Sequence, residues 1–261
     1  MEDFKSYYTD RQRAVKEQFY RERGKWKWND TWETMLMINE ELLSNYSALS
    51  SVAHKKGALD IKIKTLIYVA MDAAITHLYI PGMTTHMTHG LRDLGITPEE
   101  MMEALVISAS IGASVYQKAF PMLMEELERA GLCEMSVDED LAEKENALKE
   151  RYFAQFGSFS ENARAVLKLD PEIFEAWINL MEGAMSKNAL DEKTREILYI
   201  AVNLAPTTLD VENARRHIQK AIPLGLTKDE LLEIYESVCC LGIHTIMQGI
   251  PIIDKAVAES L

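Results

Sequence analysis

Apolar residues recur at helical spacing in two stretches of the chain. In residues 59–70 (LDIKIKTLIYVA), Ile63, Leu66, Ile67 and Ala70 share one helical face; in residues 190–201 (LDEKTREILYIA), Ile197, Leu198 and Ala201 do the same. Asp60 and Asp191 stand just ahead, where a carboxylate accepts from the free backbone N–H groups of a helix start. Thr97, Pro98 and Glu100 predict another start, with a threonine cap, proline at the first helical position and a glutamate three residues after the cap. Thr227 and Glu230 repeat this capping box. Gly95 and Gly225, two residues before each cap, suit the left-handed turn that ends a helix. No run alternates as a strand does and no Asn-Gly hairpin occurs, so an all-α fold is expected.

The two stretches belong to one internal repeat. They align at an offset of 131, which carries His86 onto His217. Further on, residues 95–100 (GITPEE) match 225–230 (GLTKDE) at an offset of 130, which also pairs Glu103 with Glu233, Gly112 with Gly242 and Pro121 with Pro251. One residue is therefore extra in the first copy, between His86 and Gly95, and a bulge or a helix end can absorb it. So long a register is expected of a duplication. The predicted organisation is a charged helical arm at 1–29, a first repeat at 30–130, an acidic connector at 131–150 and a second repeat at 151–261.

Composition adds bounds. Of 261 residues 48% are hydrophobic and 26% charged, enough apolar surface for a full core, which excludes disordered and collagen-like classes. No run of 18 apolar residues predicts a membrane span, and the charged N-terminus does not resemble a signal peptide, so a cytoplasmic protein is expected. A formal charge of −13 disfavours nucleic acid and anionic membranes as partners, while local groups of bases can still hold a small anion. Cys133, Cys239 and Cys240 predict no disulfide framework, and no CxxC motif occurs.

Histidine carries the strongest chemical signal. His77, Tyr79, His86 and His89 crowd one short segment, and Pro81-Gly82 should start a new helix with His86 in its first turns. There it could give a proton to a substrate that bears a carboxylate, or else cap or pack; its duplicate at His217 favours a functional role. His86 and His89, at i and i+3, could ligate a divalent metal together with His77 or a distant acid. Cys240 and His244, at i and i+4, could pair as a nucleophile and base, although the apolar VCCLGI context favours packing for the cysteine. Glu196, before His217, suggests an acid/base pair, and Arg215 and Arg216 could clamp an anion or lie on a solvated face.

Residues 190–201, followed by His217, Ala221, Gly225, Thr227 and Glu230, resemble the carboxymuconolactone decarboxylase / alkylhydroperoxidase D-like family. The resemblance implies an all-α bundle, here in two tandem copies, and a homo-oligomeric ring, with a trimer favoured. The family's peroxidase branch places CxxC ahead of the histidine, but those places hold Tyr79 and Gly82 in one copy and Asp210 and Asn213 in the other, so no peroxidase is expected. The decarboxylase branch needs no cofactor or metal. The implied activity is cofactor-independent decarboxylation, or isomerisation, of a small cyclic or unsaturated carboxylic acid. His86 would protonate the carbanion centre, His77 or Tyr79 would stabilise charge on oxygen, and Glu196 and His217 would be the counterpart in the second copy. His89, Arg216 and His244 are the expected substrate-binding residues. The copies differ: Thr65 replaces Glu196, and Ser114 stands where the second copy has His244. Specialisation is expected, with catalysis in the first copy, or a composite site in which His244 meets His77 and His86 across the repeats. The alternatives are a metal-dependent lyase or hydrolase using His77, His86 and His89, and a non-catalytic helical scaffold that binds a small ligand.

Overall fold

The computed structural model describes residues 7–113, 115–132, 141–156 and 159–260; Ser114 and Cys133 lie outside them. The protein is all-α, and among the described residues there is no strand. The first half runs α1 (Asp10–Arg23), α2 (Asp30–Ile38), α3 (Glu40–Ser50), α4 (Val52–Lys56), α5 (Ile61–Ala73), α6 (Ile80–Asp93), α7 (Pro98–Ala109) and α8 (Phe120–Arg129). The second runs α9 (Glu143–Phe156), α10 (Glu161–Leu169), α11 (Pro171–Met185), α12 (Glu192–Leu204), α13 (Val211–Ala221), α14 (Lys228–Cys239) and α15 (Ile243–Ser260).

The caps form as their side chains dictate. Asp60 accepts from the Lys62 backbone and Asp191 from Thr194, while Thr97–Glu100 and Thr227–Glu230 close complete capping boxes. Asn39 ends α2 and starts α3, and Asp170 does the same between α10 and α11, each accepting from the backbone N–H three residues on. The extra residue of the first half is absorbed after α6. The Ile96 N–H reaches back to the Gly90 carbonyl, whereas the equivalent Leu226 N–H reaches Ala221 with one residue fewer between. The helices that carry His86 and His217 therefore stay in register.

One central core unites the halves, with Ile67, Val69 and Ile107 of the first packed among Ile197, Ile200 and Ile234 of the second. Two smaller clusters flank it. Val15, Phe19, Leu36 and Leu43 of α1–α3 enclose Met247 and Ile250 of α15, and Val166, Leu167, Phe174 and Ile178 of α10 and α11 pack beside Phe120 of α8. The halves are thus interlocked, each giving its last helix to the opening helices of the other.

Within the expected helical arm, α1 packs on α2 and α3 much as α9 packs on α10 and α11. The stretch Lys228–Ser260 is long and apolar enough by composition to cross a membrane, contrary to the expectation from residue runs. Its apolar positions Ile234, Val238, Leu241, Met247 and Ile250 are buried inside the bundle, while Leu232, Ile252, Ile253 and Val257 are exposed.

Two buried glutamates tie the halves together. Glu233 accepts from the backbone N–H groups of Ala58 and Leu59 at 2.7 and 2.8 Å and pairs with Lys64 at 3.0 Å. Glu103 accepts from Ala189 and Leu190 at 2.7 and 3.1 Å and pairs with Arg195 at 3.1 Å. Each carboxylate satisfies the chain just ahead of a helix in the other half.

Candidate active site

In the second half, α12 and α13 lie side by side and bring Glu196 to His217. The His217 Nδ1 to Glu196 Oε2 distance is 2.6 Å, and the Tyr199 ring, one turn along α12, stacks on the imidazole at 4.4 Å and 7°. Burial raises the pKa of the Tyr199 hydroxyl, which stays protonated. His217 and Tyr199 line a cavity of about 150 Å³. Asn203, Thr208 and Trp177 of the second half complete it with Thr76, Ser110 and Lys118 of the first. Lys118 pairs with Asp210 at 3.1 Å, and Asp210 caps α13. Lys220 stands 3.8 Å from the other oxygen of Glu196.

The equivalent place in the first half is built differently. Tyr68 stacks on His86 at 4.8 Å, but Thr65 replaces the glutamate and spends its hydroxyl on the Ile61 carbonyl. The cavity there is about 30 Å³, and Arg23 and Lys27 reach it from α1 and the turn that follows. Burial, together with Lys27 and Arg23, holds the His86 pKa well below the ordinary histidine value. Burial and Arg23 lower Lys27 to about 7, and burial with Lys27, Lys64 and Arg23 lowers His54 to about 3.

Beside that cavity the turn between α5 and α6 brings a third group together. Leu78 has φ +46° and its equivalent Leu209 has φ +43°, a left-handed backbone unusual for leucine. Both turns are pinned by short backbone bonds, Tyr79 N–H to the Asp72 carbonyl and Asp210 N–H to the Asn203 carbonyl. In the first half this turn sets His77 Nε2 2.8 Å from His244 Nδ1 and stacks the Tyr79 ring on His244 at 3.8 Å. His244 Nδ1 lies 3.7 Å from Asp72 Oδ1. Burial raises the Asp72 pKa well above the carboxylate range, and burial with Asp72 pushes Tyr79 up to about 12.

Residues 171–242 match the model of the carboxymuconolactone decarboxylase family. A crystal structure from Burkholderia xenovorans LB400, of a protein named as a candidate gamma-carboxymuconolactone decarboxylase subunit, superposes with a TM-score of 0.88 at 29% identity, covering 96% of this chain and 98% of that one. The chain is thus similar to the carboxymuconolactone decarboxylase family, in sequence over residues 171–242 and in fold over nearly its whole length. Curated protein sequences give no significant match.

Within that likeness, the expected site residues fall into separate places. Glu196 and His217 meet directly. His77, Tyr79 and His244 meet across the halves, and His244 and His86 border the same cavity. His77, His86 and His89 do not converge as metal ligands. His89 turns away, bonded to Asp93 at 2.8 Å and stacked on Trp26 at 3.8 Å, because α6 points that face toward the turn after α1. Arg216 is exposed, with its guanidinium on Asn213, and does not line the cavity; its position on α13 faces solvent. Cys240 is buried, donates to the Glu236 carbonyl and has a raised pKa, as a packing cysteine does.

Arg23, Lys27, Asp72, Lys118 and Tyr199 were not singled out from the sequence. The segment 23–28 (RGKWKW) did carry a signal for two of them, a local run of bases and tryptophans in an acidic chain. Tyr68 and Tyr199 were visible as the shared tyrosine of the repeat.

Proposed function

We propose that this protein is an acid/base enzyme that works without a cofactor on a small carboxylic acid, decarboxylating or isomerising it, with His217 as the proton-transferring residue. The observation that carries this reading is the 2.6 Å contact between His217 Nδ1 and Glu196 at the wall of a cavity. The partner carboxylate fixes the tautomer: Nδ1–H points to Glu196, and Nε2 is left to exchange a proton with a ligand. The family match at 171–242 covers Glu196 and His217 and supports the same site. The cavity, about 150 Å³, is smaller than the roughly 300 Å³ at the low end of drug-sized pockets, which favours a compact substrate.

In decarboxylation the bond between the substrate carbon and its carboxylate breaks and CO2 leaves. The electron pair delocalises into a neighbouring carbonyl as an enolate, and protonated Nε2 delivers its proton to carbon. Water then restores the proton on the imidazole. Isomerisation uses the same nitrogen to remove a proton from one carbon and return it to another. Lys118 supplies positive charge on the wall for a substrate carboxylate, and the protonated Tyr199 hydroxyl can donate to a developing oxyanion. His86 is less suited to this role, since its surroundings favour the neutral imidazole, with no proton to spare for the carbanion, and no carboxylate stands where Glu196 does.

The test is CO2 release and ultraviolet absorbance with a panel of lactone acids and β-keto acids. His217→Ala should lower kcat by about 10²- to 10⁴-fold, the usual contribution of a positioned acid or base. Glu196→Gln should fall in the same direction, and a chelator should leave turnover unchanged. Wild-type protein that turns over none of these acids would contradict the enzyme reading and favour a ligand-binding scaffold.

A further inference from the structure

Asp72 is 1% exposed, and neither of its carboxylate oxygens has a hydrogen-bond partner. Unsatisfied buried side-chain atoms are uncommon, and a buried carboxylate without a partner is strongly disfavoured. The backbone of α6 closes in on the other side: a Cβ on Gly82 would stand 2.4 Å from Asp72 Oδ2, so only glycine leaves the carboxylate its place. Two histidines complete the surroundings. His77 Nε2 and His244 Nδ1 approach to 2.8 Å, a contact that one shared proton can satisfy, while His244 Nδ1 stays 3.7 Å from Asp72 Oδ1, beyond hydrogen-bond distance. One ligand atom from each of Asp72, His77 and His244 lies within 4.8 Å of the others.

We propose that Asp72, His77 and His244 bind one divalent first-row transition ion per chain, a site shared between the two halves. Two imidazoles and a carboxylate form a donor set suited to such ions, with positions left open for water or a ligand. Metal–nitrogen bonds of about 2.0–2.1 Å need the two nitrogens to part by only a few tenths of an ångström from their present separation. The ion would satisfy the carboxylate oxygens, which no protein group hydrogen-bonds. Tyr79, stacked on His244, and the pinned turn at Leu78 hold the ligands in place. His244 also borders the cavity with Arg23 and Lys27, so an anion bound to the ion would meet the Arg23 guanidinium and the Lys27 amine. In the second half Asn203 and Thr208 occupy the places of Asp72 and His77, so the equivalent place there lacks this donor set.

The experiment uses untagged, full-length protein stripped with a chelator and dialysed against cobalt(II) or zinc chloride. Metal per chain is measured by elemental analysis, and the visible absorption of bound cobalt is followed. Saturation at about one ion per chain is expected. Asp72→Asn, which keeps the side-chain shape, and His244→Ala should each weaken binding at least about tenfold, the low end of the loss seen when only a ligand's supporting group is removed. His77→Ala, at a less buried position, gives the same reading should either of those variants fail to fold. His89→Ala and His217→Ala should bind as the wild type does. Absence of saturable binding to the wild type, or unchanged affinity in folded Asp72→Asn and His77→Ala, overturns the proposal. Binding is read without activity, so this result stands apart from the fate of the His217 mechanism.

Discussion

At the scale of single residues, three differences between otherwise matched positions separate the two cavities. Glu196 against Thr65 gives one histidine a carboxylate and leaves the other without. Asn203 against Asp72 exchanges a neutral amide, bonded to the Tyr199 carbonyl, for an unpartnered acid. Asp210 against Tyr79 exchanges a helix cap for an aromatic wall. The first-half cavity also carries a pH signature in His54. Its pKa in the fold is lowered to about 3 by burial and by Lys27, Lys64 and Arg23, with Glu233 opposing, against about 6.5 when unfolded. The folded state therefore keeps His54 neutral while the unfolded chain takes up a proton, so stability present above pH 6.5 is lost as the pH falls toward 3. One proton sets a slope of at most about 1.4 kcal/mol per pH unit. Urea unfolding at pH 7.5 and pH 5 should show a smaller loss for His54→Gln than for wild type, and an equal loss would contradict this account. Little of this was legible in the sequence, because His54 stands alone there and the cations around it come from other elements.

At the scale of elements, starts and ends were legible because they are local. A cap and the N–H it accepts from are two or three residues apart, so Asp60, Thr97, Asp191 and Thr227 announce their helices without the rest of the fold. The pairing of Glu103 with Glu233 was also visible as a repeat, but its purpose was not, since each glutamate serves backbone in the opposite half. The two should differ in cost. Glu233→Ala strands Lys64, which is 3% exposed, and breaking such a buried pair costs about 3–5 kcal/mol. Glu103→Ala leaves Arg195 at 19% exposure, where water can reach it, and should cost less. Denaturant midpoints in that order are expected; a greater loss for Glu103→Ala would contradict the interlocking role given to the pair.

At the scale of the whole molecule, interlocking makes both cavities composite. Lys118 and Thr76 of the first half wall the cavity of His217, while Cys240 and His244 of the second wall that of His86. The sequence placed His77, His86 and His244 near one another only as a possibility raised by family resemblance, and periodicity cannot supply such a contact because more than 150 residues separate His86 from His244. Nor could spacing show that α1 and the turn after it bring Arg23 and Lys27 into the first cavity, since nothing in the matching parts of the repeat covers that segment. The halves match in register and differ in their chemistry, a carboxylate-backed histidine in one and a buried acid with paired histidines at the edge of the other. The most direct test of that division is to compare His217→Ala and His86→Ala side by side in the CO2-release assay. Loss of turnover by about 10²-fold or more in His217→Ala, with His86→Ala close to wild type, is the predicted result. Loss confined to His86→Ala would place the proton chemistry in the first half and contradict the account.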